Sequence, residues 1–361
     1  MRTGDYLSLL ASHRFRISPQ RMAMACLIGG FSVGHSLLAG VQRLLYQRQI
    51  EQQAIDPAPL FVVGHWRSGT TLLHELLSLD NNFSFSSTVE CFLPHHFLIS
   101  EPWLKPFLRL LLPNKRPMDN MPTGVELPQE DEFALIGLGA PTPYLRIAFA
   151  NDQRPFDCLL DMQDVPAQVE ADFEKQLTFF LKSLMLKKQK RLILKSPTHT
   201  GRIGWLAKQY PGSRFVHISR NPIEVFLSTK RLWRRLDEVQ GFQLPKYSDQ
   251  QLETLVFDCY KRMYNGYFLS RKHLRPNQLI EIQFEQLTQR PAEIIQQVYA
   301  QLELGDSTLI QQEVAQSMQQ RKNFEKADYE VGQEVTEKIM PSWRQYAQAF
   351  GYDRVTGKPL E

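Results

Sequence analysis

The stretch that most limits how this chain can fold is Gly64-His65-Trp66-Arg67-Ser68-Gly69-Thr70-Thr71. An apolar run with strand character, PLFVVG (59–64), leads into it. TTLLHELLSL (70–79) follows, with Leu72, Leu73, Leu76 and Leu77 on one helical side. A glycine-punctuated turn between strand and helix gathers successive backbone N–H groups and the helix N-terminus at one spot, where they cradle phosphate oxygens. The glycine spacing is that of a P-loop, but Thr70 stands where such loops place the lysine that reaches β- and γ-phosphates. The cation here is Arg67, two positions before the second glycine. The strands RLILK (191–195) and RFVHIS (214–219) carry no terminal Asp to hold Mg²⁺. A triphosphate would be poorly neutralised. A single 5′-phosphate bearing a leaving group of lower charge suits the loop better.

Strand and helix patterns alternate along the rest of the chain. FSFSS (83–87), RLILK, RFVHIS and QLIEIQF (278–284) have strand character, and helical patterns cover 129–139, 168–188, 200–210 and 221–233. Residues 90–112, aromatic and broken by prolines, are expected to form short helices and loops. The fold class is therefore α/β, a P-loop-type parallel sheet flanked by helices, with ligands at the carboxyl ends of its strands. With 43% hydrophobic and 22% charged residues, the composition excludes a disordered, collagen-like or coiled-coil protein. A net charge of +4 over 361 residues gives no broad basic field, so no nucleic-acid partner is expected. The four cysteines (Cys26, Cys91, Cys158, Cys259) show neither CxxC spacing nor scaffold density, which favours a reduced, cytoplasmic setting and no metal.

Residues 1–57 read as an N-terminal helical extension and 58–361 as the main domain. Within the extension, 22–40 is free of formal charge and flanked by Arg14, Arg16, Arg21, Arg43 and Arg48. Its length suits a bilayer span, but four glycines, His35, Ser32 and Ser36 weaken that reading. A buried helix, or one lying on a membrane surface, is expected instead.

The segment PLFVVGHWRSGTTLLHELL resembles the 5′-phosphosulfate loop of sulfotransferases that use 3′-phosphoadenosine 5′-phosphosulfate (PAPS). A second hallmark agrees with it. RFVHISRNPIEVFLS is a strand ending at Arg220, with Ser228 eight residues on, and in that family an Arg and a Ser at this spacing hold the 3′-phosphate. Segments 282–304 and 116–141 resemble further parts of bacterial members, so the resemblance runs from about 58 to 352. It implies sulfonate transfer from PAPS to a hydroxyl or amine acceptor, releasing adenosine 3′,5′-bisphosphate. On this resemblance, Arg67, Ser68, Gly69, Thr70 and Thr71 bind the 5′-phosphosulfate, and Arg220 and Ser228 the 3′-phosphate. Arg67 and Lys195, which ends RLILK, stabilise the transferring group.

In-line transfer needs a base for the acceptor's proton. The candidates are Glu90, His199 and the run Glu130-Asp131-Glu132. Golgi-type and many bacterial members resemble a plan with a glutamate some twenty residues after the loop's basic residue. Glu90 follows Arg67 by 23 and is the expected base, with His199 as runner-up. The acidic run reads equally as the charged start of a helix or as a group that orients the acceptor. For a nucleotide lid, Arg321-Lys322 with Tyr329, or Lys338 with Trp343, are the readable choices, and a solvent-facing helix is the preferred reading of each. The aromatic stretch 92–113 suggests an apolar-walled cleft for a small-molecule, carbohydrate or lipid acceptor. Two rival functions are a P-loop kinase or NTPase, which would need magnesium-dependent ATP turnover, and a catalytically silent nucleotide-binding protein docked on a membrane.

Overall fold

Strand β1 (Leu60–Val63) is a run of four wholly buried apolar residues, so it needs a neighbour on each side and cover on each face. In the computed structural model, which describes residues 1–111, 123–152, 156–321, 333–353 and 355–360, it is the centre of a five-stranded sheet. The order is β2 (Phe83–Phe85), β3 (Arg191–Lys195), β1, β4 (Arg214–Ser219), β5 (Leu279–Gln283), and every pairing is parallel. Leu60 lies opposite Ile193 on one side and Arg214 on the other. This is the α/β class expected, with all five strands presenting their carboxyl ends along one edge.

Parallel strands need crossovers, and helices supply them. In chain order the helices are α1 (Thr3–Ser12), α2 (Met22–Gln52), α3 (Thr70–Leu77), α4 (Thr88–Phe92), α5 (Phe97–Leu111), α6 (Asp131–Leu138), α7 (Ala167–Lys188) and α8 (Ile203–Gln209). Then come α9 (Pro222–Val239), α10 (Asp249–Ser270), α11 (Phe284–Gln289), α12 (Pro291–Gln301), α13 (Thr308–Gln320), α14 (Gln333–Ser342) and α15 (Arg344–Ala349). Alternation along β1 divides the core. Phe61 and Val63 face a cluster that includes α6, α7 and α10, while Leu60 and Val62 face one formed with α3, α12 and α13.

Two elements depart from expectation. Residues 97–111 form one helix of 15 residues although Pro102 and Pro106 lie inside it. Each proline forfeits one backbone hydrogen bond, but the amphipathic face of α5 packs on α2, where the Leu98 N–H donates to the Gln42 side chain at 2.9 Å. The N-terminal helix continues past Gly40 to Gln52, because VQRLLYQRQIEQ is rich in good helix formers. It buries Ala25, Ser32, Gln42 and Ile50, and Tyr6 of α1 donates to the Ala25 carbonyl at 2.7 Å.

Candidate active site

The loop after β1 requires both of its glycines. At Gly64, with φ +149°, a Cβ would meet the Ile218 carbonyl oxygen at 2.5 Å. At Gly69, with φ +103°, it would meet the Phe284 ring at 2.3 Å. The Gly64 N–H donates to Thr200 Oγ1 at 2.8 Å. Ser68 spends its N–H and its hydroxyl on the His65 carbonyl, at 3.1 and 2.8 Å, so it holds the turn together rather than facing a ligand. The first-turn amides of α3, from Thr70 onward, have no carbonyl within the helix and lie at the loop's mouth.

Arg67 has a left-handed backbone, φ +69°, unusual for a residue with a side chain. Its Nε donates to Ser228 Oγ at 2.9 Å, and its carbonyl accepts from Arg220 Nη1 at 3.1 Å. Arg220 also binds Glu224 through Nε at 3.0 Å and Nη2 at 2.5 Å, and stacks on Phe284 with 4.5 Å from its guanidinium to the ring centre. Three residues singled out in two distant motifs thus meet at one place.

Lys195, at the carboxyl end of β3, is 1% exposed. Its ammonium donates to Glu130 Oε1 at 2.7 Å and to Thr71 Oγ1 at 3.4 Å, which joins the strand end to the loop. Glu130 is the N-cap residue of α6. Its other oxygen accepts from the Tyr144 hydroxyl at 2.5 Å, and that hydroxyl accepts from Trp66 Nε1 at 2.9 Å. Burial, and then the charge of Glu130, push the Tyr144 phenol well above its ordinary value, so it stays a donor.

The structure does not bring Glu90 to this cluster. Glu90 is 1% exposed and closes a capping box at the start of α4: its Oε2 accepts from the Ser87 N–H and hydroxyl, each at 2.8 Å. Lys187 and Lys188 engage the two oxygens at 2.9 and 2.8 Å. Both lysines sit where α7 enters β3, at the opposite end of that strand from Lys195. Burial raises its pKa, but the two ammonium groups outweigh burial and hold it below the usual glutamate value. A buried carboxylate so engaged acts as a cap, and none of its partners is shared with Lys195 or the loop. His199 is likewise taken, with Nε2 paired to Asp131 Oδ2 at 2.7 Å and both side chains fully buried. Glu132 binds Arg202 through both oxygens at 2.9 and 3.1 Å and accepts from Thr198 and Thr142. The three successive carboxylates therefore have separate partners, and Glu130 is the one joined to the loop, through Lys195 to Thr71 and through Tyr144 to Trp66.

Sequence reasoning missed Tyr144 and Trp66. The one available signal was Pro141-Thr142-Pro143-Tyr144, a turn in which Thr142 caps a 3₁₀ segment and fixes where Tyr144 emerges. Among the residues considered for a lid, Trp343 stacks on Tyr260 at 3.5 Å in the core, Lys338 pairs with Glu253 and Arg321 with Glu75. Lys322 and Tyr329 lie outside the described residues.

Comparison with known proteins gives one answer. Residues 59–307 match the model of the sulfotransferase family. The chain is 32% identical to omega-hydroxy-beta-dihydromenaquinone-9 sulfotransferase Stf3 of Mycobacterium bovis, over 98% of this chain and 90% of that protein, and matches its Mycobacterium tuberculosis counterpart equally. Among solved structures, sulfotransferase STF9 of Mycobacterium avium superposes with a TM-score of 0.70 at 16% identity, covering 89% of this chain and 84% of that one. Sulfotransferase STF1 of M. tuberculosis gives 0.64 at 18%, covering 93% and 90%.

Proposed function

Since this chain belongs to the sulfotransferase family, we propose that its donor is PAPS and its acceptor a hydroxyl group on a lipid. We divide the chain into a helical extension, 1–57, and a catalytic domain, 58–361. The observation that carries the reading is the junction of two clusters on one loop: Lys195, Glu130 and Thr71 on one flank, Arg67, Ser228 and Arg220 on the other.

The glycine cradle, which a single Cβ would fill, fits the 5′-phosphosulfate against the first-turn amides of α3. Arg220 offers a guanidinium fork and Ser228 a hydroxyl to the 3′-phosphate. In the reaction the acceptor oxygen attacks sulfur, the bond from sulfur to the bridging oxygen breaks, and the acceptor's proton leaves. Glu130 takes that proton, held at the right height by Tyr144. Lys195 and Arg67 stabilise the charge that develops on the sulfonate and the bridging oxygen. Adenosine 3′,5′-bisphosphate is the product.

The lipid acceptor rests on the Stf3 relative, whose name specifies a hydroxylated dihydromenaquinone, and on the near-complete overlap of the two chains. Calorimetry tests the donor site. Adenosine 3′,5′-bisphosphate should bind about 10- to 100-fold more tightly than AMP, the worth of one or two charge-assisted hydrogen bonds. Equal affinities would refute it. Transfer of labelled sulfonate from PAPS into a lipid extract tests the acceptor, and label appearing only in water-soluble products would refute that part.

A further inference from the structure

Helix α2 has a second face that the protein does not cover. Helical spacing sets Leu27, Phe31, Leu37, Val41, Leu44 and Leu45 on the side away from the buried Ala25, Ser32 and Ile50, and all six are exposed, Leu44 by 87%. Against α2 packs α5, whose outward residues Trp103, Phe107 and Leu110 are also exposed. Of the 20 large apolar side chains exposed among the described residues, 14 lie on α1, α2, α5 and the turn after α1, so this is one concentrated region rather than ordinary surface scatter.

We propose that the outward faces of α2 and α5 dock on an anionic lipid bilayer, with α2 lying in the membrane surface and not crossing it. Charge selects this occupant. No Asp or Glu occurs from Met22 to Ile50, and exposed arginines mark both ends of the face: Arg14 and Arg16 before α2, Arg43 and Arg48 near its close. Anionic headgroups complement that pattern. A second copy of the chain does not. Packed antiparallel, two such helices set the arginines of one end against those of the other, and packed parallel they set each against its own copy.

The tethers of α2 decide between lying in the surface and spanning. Ser36 Oγ accepts from the Thr3 N–H at 2.8 Å, His35 meets His96 at 2.7 Å, Gln42 accepts from Leu98, and the Glu51 carbonyl accepts from Lys182 at 2.8 Å. These bonds fix the helix to the body from its first half to its last turn. A span would break them or carry their polar groups into hydrocarbon. The inference needs no sulfonate chemistry, so its test and that of the proposed function fail separately.

The experiment is co-sedimentation of the full chain with vesicles, without nucleotide, using phosphatidylcholine alone or mixed with phosphatidylglycerol. The chain should sediment with the mixed vesicles and come off in alkaline carbonate. A Leu37→Glu, Leu44→Glu double variant should lower the bound fraction at least about tenfold with an unchanged melting midpoint. Replacing Arg14, Arg43 and Arg48 by Gln should abolish the preference for phosphatidylglycerol, at about fivefold per arginine. Should the leucine variant fail to fold, the arginine variant carries the test through that preference. Equal binding by all variants, retention through carbonate, or vesicle-free self-association abolished by the leucine changes would each overturn the proposal.

Discussion

Replacing Glu130 by Gln and, separately, Glu90 by Gln tests the site assignment, because the two carboxylates differ in what they hold. Glu130 binds Lys195, so on the proposed mechanism losing it removes proton acceptance at the acceptor. General-base contributions of about 10²–10⁴ correspond to about 3–5 kcal/mol of barrier, and kcat should fall by that factor. The amide oxygen can still accept from the Lys195 ammonium, so the fold survives and adenosine 3′,5′-bisphosphate affinity should change less than about tenfold. Glu90 touches no loop residue in the contacts described above, and Glu90→Gln should leave kcat within about threefold while costing roughly 1–2 kcal/mol of stability through the weakened cap. Its pH signature has a definite sign. A carboxylate whose folded pKa is depressed contributes stability above the unfolded value of about 4.3 that disappears as pH falls through the lower folded value. The acid limb of the melting midpoint should therefore flatten in Glu90→Gln and persist in Glu130→Gln. Single-turnover sulfonate transfer alongside thermal melting reads both effects. A large kcat loss in Glu90→Gln with normal melting, and none in Glu130→Gln, would refute the assignment.

Three further outcomes follow from the geometry. Arg220→Ala should weaken adenosine 3′,5′-bisphosphate about 10- to 100-fold while leaving AMP within about threefold, by calorimetry. Gly64→Ala, whose new methyl would collide with the backbone carbonyl of Ile218, should lower the melting midpoint and abolish nucleotide binding together. Burial, and then nearby positive groups, hold His35 down to about 4 and His96 to about 3, so the unfolded chain takes up their protons first as pH drops below about 6.5. The unfolded state binds more protons in that window, so the hold of α2 on α5 should weaken from about pH 6.5 towards 4, visible as faster proteolysis of the N-terminal segment.

The sheet was legible because its strands are short apolar runs bounded by turn residues, and buried parallel strands leave that mark. Arg67, Arg220 and Ser228 were legible as a set because the two segments that carry them resemble the phosphosulfate loop and the 3′-phosphate strand of sulfotransferases, and the parallel order brings both to one edge. Glu90 was ranked first on a resemblance that gives a separation along the chain, and such a separation carries no distance in space. After β2 the chain turns at Ser87, and the capping box points the carboxylate back into the α4 turn. Glu130 could not be ranked above its neighbours, since a run of three acids at a helix start looks the same whichever one reaches the cleft. The rotation that separates them is set by Arg202 and His199, contributed by a distant segment. The prolines of α5 suggested loops because packing against α2 is a tertiary effect that local pattern does not carry.

Those three adjacent acids have a consequence for how such an enzyme changes its substrate. Asp131 and Glu132 clamp the start of α6 to the segment after β3, while Lys195 of β3 itself receives Glu130. The proposed proton acceptor is thereby indexed to the sheet through Lys195. Substitutions elsewhere around the cleft can reshape the space offered to an acceptor while the chemistry stays in register.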